Sequence, residues 1–198
     1  MKLVVGVTGH TGSGASTFAK FLEESGGLVI SADKLAHEEL KKGSEGFDLI
    51  VSRFSDKILS PSGEIDRGVL AGLVFGKGNE NNLKALEGII HPVVHRKIRH
   101  ILKEGSKDNK IPFIVIDAPL LIESGMNKDC DITVFVKADR EIRINRIIER
   151  DGLDFESAIR RIESRQEPML DEVDIVIDNN KSKEDLHNEA GKFIMSHK

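Results

Sequence analysis

Residues 2–17 read KLVVGVTGHTGSGAST. The apolar, β-branched run Leu3–Val7 turns directly into Gly9-His10-Thr11-Gly12-Ser13-Gly14, and Ala15-Ser16-Thr17 opens a helical pattern. Strand, glycine-rich loop and helix in that order form the setting of a Walker A phosphate loop. Gly9, Gly12 and Gly14 are expected to take positive φ and to curl backbone N–H groups around an anion. The helix adds the positive end of its dipole at the same point. Ser16 is placed to put its hydroxyl on Mg²⁺ and Thr17 to reach an α-phosphate; His10, Thr11 and Ser13 complete the set expected to hold ATP.

The strict pattern GxxxxGK(S/T) fails at one place, because Ala15 stands where the lysine belongs. That lysine is a point charge on the β- and γ-phosphates. Its loss removes transition-state stabilisation of a kind whose deletion costs ~10²–10³ in rate, and leaves the backbone cradle intact. Three readings stay open: another cation (Lys34, Lys20 or an arginine further along) replaces it, the enzyme is slow, or the chain binds nucleotide and catalyses poorly. Lys20 is turned about 140° from position 15 around the helix and is a weak substitute. Lys34 is a better one.

Outward from the loop, four more apolar runs read as strands: Leu28–Ser31, Phe113–Asp117, Ile132–Val136 and Ile175–Asp178. Near-continuous rather than alternating apolarity suits strands covered on both faces. Helical patterns at 15–25, 34–42, 139–168 and 183–195 separate or follow them. The expected fold is α/β: a five-stranded parallel, doubly wound sheet. Residues 43–104 contain no convincing strand and are far too many for a simple crossover. They show helical periodicity around Asp66–Phe75 and Asn82–Lys103, the second interrupted by Pro92. The domain reading is a nucleotide-binding core of 1–42, 105–137 and 173–198, a helical insertion at 43–104, and a lid at 138–172.

In a doubly wound sheet ligands sit at the carboxyl ends of the strands. Asp33 and Asp117 are read as strand-end carboxylates at that edge. Asp33 suits the proton of an attacking hydroxyl, and Asp117 suits Mg²⁺, directly or through water; each also fits a helix cap or turn. After the fourth strand, Arg143, Arg146 and Arg150 fall within about 60° of one another on a helix. Arg161 and Arg165 form a second pair after Asp151-Gly152, where Asp154 fits a new cap. Guanidinium groups on a helical hairpin suit the charge of a transferring phosphoryl group. Part of this arginine set is equally readable as Glu–Arg bridges on a solvated face.

Composition bounds the partners. The 198 residues are 39% hydrophobic and 31% charged, with net charge −4, which argues against nucleic acid as a partner. No stretch approaches the ~18 consecutive apolar residues of a membrane span. The N-terminal apolar run ends too soon in the glycine-rich loop for a signal peptide. Cys130 is the only cysteine, so no disulfide framework exists and a reducing cytoplasm is expected. His91 and His95 lie four apart across Pro92 without a third ligand in pattern; acceptor contact or helix setting by His91 is preferred to zinc.

The residues together resemble the dephospho-CoA kinase family over nearly the whole chain. The loop VTGHTGSGAST matches its opening except at Ala15, and Ser31-Ala32-Asp33 keeps only the second carboxylate of its Asp-Ala-Asp motif. Further matches are Gly63-Glu64-Ile65-Asp66-Arg67, Leu70, Phe75, Ile90-His91-Pro92 and Asp117-Ala118-Pro119-Leu120-Leu121-Ile122-Glu123. The lid segments Arg146–Gly152 and Arg161-Ile162 and the tail Asp174–Asn179 also correspond, whereas the expected lid glutamine falls on Arg165, with Gln166 one place late. The resemblance implies ATP and Mg²⁺ as cofactors and dephospho-CoA as the substrate; a monomer or weak homo-oligomer is expected. Asp33 would be the acceptor-side base, and Arg146, Arg150 and Lys34 would be catalytic. Asn179 would lie beside the adenine, and His91, Pro119, Leu120, Glu123 and Arg161 would hold the acceptor.

Overall fold

A computed structural model describes residues 2–76, 78–163 and 170–197. Two compact units divide the chain: Met1–Ser31 with Ile101–Lys198, and Ala32–His100.

The first unit is built on five parallel strands, β1 (Leu3–Gly9), β2 (Leu28–Ser31), β3 (Phe113–Asp117), β4 (Ile132–Lys137) and β5 (Ile175–Asp178). Their spatial order is β2-β3-β1-β4-β5. Because β1 connects toward β2 on one side and the chain later crosses to β4 on the other, the order reverses beside β1. The registers Val7↔Asp117, Ser31↔Asp117, Gly9↔Val136 and Lys137↔Asp178 bring the carboxyl ends of all five strands to one edge.

Helix α1 (Ala15–Glu24) buries Phe18, Ala19, Phe21 and Leu22, the face a 3.6-residue period puts on the sheet. The closing helix α8 (Lys183–Ser196) starts at a capping box between Ser182 and Asp185. It brings Phe193 edge-on to Phe18 at 6.1 Å between ring centroids. Helices α6 (Arg140–Asp151) and α7 (Phe155–Glu163) are joined at Gly152, whose φ of 66° stops α6. Asp154 accepts from the Ser157 N–H at 2.8 Å, the cap expected there. Arg165 and Gln166 lie outside the described residues. Cys130 is largely buried near Asp129, Asp131 and Asp174; burial first, then these carboxylates, pushes its thiol up to about 12.

The second unit holds α2 (Ala32–Glu38), α3 (Glu45–Phe54), α4 (Arg67–Val74) and most of α5 (Glu80–Gly105). Two expectations change here. Helix α3 has no counterpart in the sequence reading; Ser44 caps it by accepting from Phe47 N–H at 3.2 Å. Pro92 does not interrupt α5, which runs unbroken through it. The proline removes one backbone hydrogen bond, at a cost of ~3 kcal/mol or more. Burial of Ile90, Val93, Val94 and Ile98 on one face offsets that cost. Asp66 caps α4, accepting from Gly68 and Val69 N–H groups at 2.9 and 3.0 Å. Among the described residues no helix is long and apolar enough to cross a membrane.

Candidate functional site

The phosphate loop leaves the sheet at Gly9. Gly12 and Gly14 take φ of +82° and +96°, as the sequence requires, but Gly9 does not. It closes β1, and its constraint is proximity: a Cβ there would stand 2.3 Å from the Val136 carbonyl and 2.6 Å from Ser13 Oγ. Ser13 N–H donates to the His10 carbonyl at 2.9 Å, folding the loop on itself. The His10 ring meets Phe135 edge-on at 4.9 Å. Ser13 is fully buried, and its Oγ has no hydrogen-bond partner among the described residues.

Helix α1 begins at Ala15, with the Gly14 carbonyl accepting from Phe18 N–H at 2.9 Å. Its first turn therefore presents free N–H groups next to the loop. Ser16 is exposed there, Thr17 half-buried, and Ala15 packs partly against the core. A short Cβ turned toward packing carries no charge to an anion, so the missing lysine is a real difference in the loop's electrostatics.

The loop's neighbours are tied to it. Ala118 N–H donates to the Val7 carbonyl at 3.1 Å, and Thr8 Oγ1 donates to the Pro119 carbonyl at 3.2 Å. Asp117 is thereby held, buried, one strand over from the loop's root. Pro119 and Leu120 follow half-buried, and Glu123 is exposed in the succeeding turn. Thr8 carries no signal in the sequence, because its bond is to a backbone carbonyl and leaves no residue-type signature.

The arginines of α6 divide. Arg143 is buried, and its carbonyl lies so near Gly12 that a Cβ on Gly12 would come within 2.9 Å. Arg146 donates from Nη1 to the Ser13 carbonyl and from Nη2 to the Lys181 carbonyl, both at 3.4 Å. Arg150 instead makes a two-point contact with Asp151, 2.8 Å from Nε and 2.8 Å from Nη2. Arg161 approaches the same carboxylate at 3.1 Å. The hydrogen bonds from Arg150 hold the Asp151 carboxyl below its ordinary range. Asn179 donates its side-chain amide to the Ser13 carbonyl at 2.7 Å and is buried behind the loop. The structure thus gathers Gly9 to Thr17, Asp117, Pro119, Arg146 and Asn179 in one unit at one sheet edge.

Asp33, Lys34 and His91 belong to the other unit. The strand ends at Ser31 and α2 starts at Ala32, so Asp33 and Lys34 are exposed first-turn helix residues, not strand-end residues as expected. No group of three or more His, Cys, Asp or Glu side chains suited to a metal exists among the described residues, and His91 with His95 is no exception.

The dephospho-CoA kinase family model matches residues 3–185. A dephospho-CoA kinase of Fusobacterium nucleatum is 40% identical, over 96% of this chain and 96% of the relative. The solved dephospho-CoA kinase of Campylobacter jejuni superposes with a TM-score of 0.70 at 33% identity, covering 98% of this chain and 96% of that one. A shikimate kinase of Acinetobacter baumannii, 15% identical with a TM-score of 0.53 over 100% of this chain and 96% of its own, shares the P-loop kinase fold alone. A chain with this loop, this strand order and this full-length likeness belongs to the dephospho-CoA kinase family.

Proposed function

We propose that the chain transfers the γ-phosphoryl group of ATP to the 3′-hydroxyl of dephospho-CoA, giving CoA and ADP. The observation that carries this is the loop with Gly12 and Gly14 at positive φ, on the carboxyl edge beside Asp117, in a member of this family. In the reaction the 3′-oxygen forms a bond to the γ-phosphorus while the bond from that phosphorus to the β,γ-bridging oxygen breaks. The hydroxyl proton passes to the Asp33 carboxylate. The backbone from Gly9 to Gly14, with His10, Thr11, Ser13 and Ala15 in the cradle and Thr17 on the α-phosphate, binds the polyphosphate.

Mg²⁺ fits the donors Ser16 and Asp117, a hydroxyl and a carboxylate whose hard oxygens suit an ion that keeps several waters. When bound, it neutralises charge on the β- and γ-phosphates. Arg146 and Lys34 supply the positive charge that a lysine at position 15 would otherwise bring; Arg146 is supported by its reach to Ser13. Arg150 joins once released from Asp151. His91, Pro119, Leu120, Glu123 and Arg161 hold the acceptor. The core is 1–42, 105–137 and 173–198, the acceptor region 43–104 and the lid 138–172. The protein works as a cytoplasmic monomer or weak homo-oligomer without nucleic acid.

Ala15 favours a second reading, a nucleotide- and CoA-binding protein with weak catalysis. One assay separates them: ADP release with ATP and Mg²⁺, using dephospho-CoA, AMP or UMP as acceptor. Turnover that needs dephospho-CoA and yields CoA is expected. Equal turnover with AMP or UMP and none with dephospho-CoA overturns the substrate; tight ATP binding without turnover selects the second reading.

A further inference from the structure

Asn179 directly follows β5, and its backbone N–H donates to the Lys137 carbonyl at 2.8 Å, so the end of β4 fixes its position. Asn179 is only 5% exposed, and its amide Nδ2 donates to the Ser13 carbonyl at 2.7 Å. That carbonyl has two lone pairs, and Arg146 Nη1 at 3.4 Å uses the other side. The planar trans peptide between Ser13 and Gly14 holds its C=O and N–H pointing in opposite directions. A donor that fixes the Ser13 carbonyl toward β5 therefore fixes the Gly14 N–H toward the opposite side of the loop.

Gly14 carries independent evidence of the same contact. A Cβ built there would stand 2.4 Å from Asn179 Nδ2, while its φ of +96° already disfavours any side chain. Close approach of the amide and the left-handed backbone thus require glycine at the same residue.

We infer that Asn179 is a positioning residue for the nucleotide's polyphosphate, setting the Ser13–Gly14 peptide so that the Gly14 N–H faces the phosphates, instead of contacting the base. This rests on the nucleotide reading of the loop given above. Ala15 makes it matter more: with no lysine in the loop, backbone N–H groups carry a larger share of phosphate binding.

The test uses the full chain and a probe without a base. Dissociation constants of inorganic tripolyphosphate and of ATP are measured by calorimetry at one ionic strength for wild type, Asn179→Asp and Asn179→Ala. Both variants should weaken both ligands by about 10-fold or more and by equal factors, since each removes the short amide donor that turns the Ser13 carbonyl toward β5 and leaves only the longer contact from Arg146. The KM for dephospho-CoA should stay within about 2-fold, because the loop's N–H groups face the other substrate. Unchanged affinity for both ligands overturns the inference. A loss confined to ATP, with tripolyphosphate unaffected, assigns Asn179 to the adenine and overturns it as well. Failure of the wild type to bind either ligand overturns instead the nucleotide reading on which it rests. Ligand-free melting confirms that each variant is folded; should Asn179→Asp not be, Asn179→Ser is uncharged, too short to reach the carbonyl, and carries the same measurement.

Discussion

At its N-terminal end α6 lies against the phosphate loop: Arg143 is buried, its carbonyl abuts Gly12, and Arg146 reaches the Ser13 carbonyl. One turn later the same helix carries Arg150, which is exposed and paired with Asp151, the carboxylate that Arg161 also approaches. On a helical wheel Arg143, Arg146 and Arg150 of α6 share one stripe, yet they meet different surroundings. The near pair is pre-positioned by packing before any ligand arrives, whereas the far pair must leave a carboxylate to be used. A pre-organised charge costs no reorganisation in the transition state, so the near end should contribute more to the rate.

The proposed base sets the scale for this comparison. Asp33→Asn should lower kcat by ~10²–10⁴ and leave ATP affinity within a few-fold, because the lost interaction belongs to the transition state. Near-full kcat would reduce Asp33 to a first-turn helix residue that complements the α2 dipole.

Arg146→Ala tests the near end, with an expected fall in kcat of ~10²–10³. Steady-state kinetics beside Arg150→Ala, expected at about 10-fold or less, measure the difference between the two ends. Equal losses would erase the distinction drawn from their contacts. Asp151→Asn sharpens it from the other side by loosening Arg150 and Arg161 together; kcat should rise or hold while the hairpin loses stability. Acid should imitate that substitution. Asp151 is held below its ordinary pKa, so its contribution is present above the unfolded value of 3.8. It is lost as pH falls through the lower folded value. Melting curves of wild type and Asp151→Asn should therefore converge at acid pH; a constant gap down to that range would remove the ion pair from the account.

Legibility followed the kind of signal each residue carries. The five strands read directly because buried parallel strands are unbroken apolar runs, and Gly12 and Gly14 because positive φ has a residue type. Gly9 looks the same in sequence but answers to the nearness of Val136, which no local pattern encodes. Helix α3 carries a signal that the sequence reading passes over: Ser44 caps it, and Phe47, Ile50, Val51 and Phe54 recur at helical spacing. Pro92 reads as a break from sequence alone, whereas the burial that holds α5 together is tertiary. Arginine periodicity gave the stripe on α6 but could not tell a loop carbonyl from Asp151 as its partner.

The smallest expected effect concerns Ala15. If the loop's lost charge is a catalytic deficit, Ala15→Lys should raise kcat by ~10-fold or more, with less change in ATP affinity, since the backbone cradle does not depend on that side chain. If Arg146 and Lys34 already fill the role, the new ammonium meets a site whose positive charge is in place, and kcat should stay within about 3-fold or fall. The contacts favour the second outcome. Arg146 is held at the loop by the Ser13 and Lys181 carbonyls, whereas Ala15 packs partly against the core, so a lysine there must also find a path out. Lys34→Ala measured in parallel should then lower kcat clearly in the wild-type background and much less beside Ala15→Lys, because the two cations substitute for one another. A strong gain from Ala15→Lys with no loss from Lys34→Ala would reverse the assignment, leaving a near end of α6 that is well placed but does not supply the charge the loop lacks.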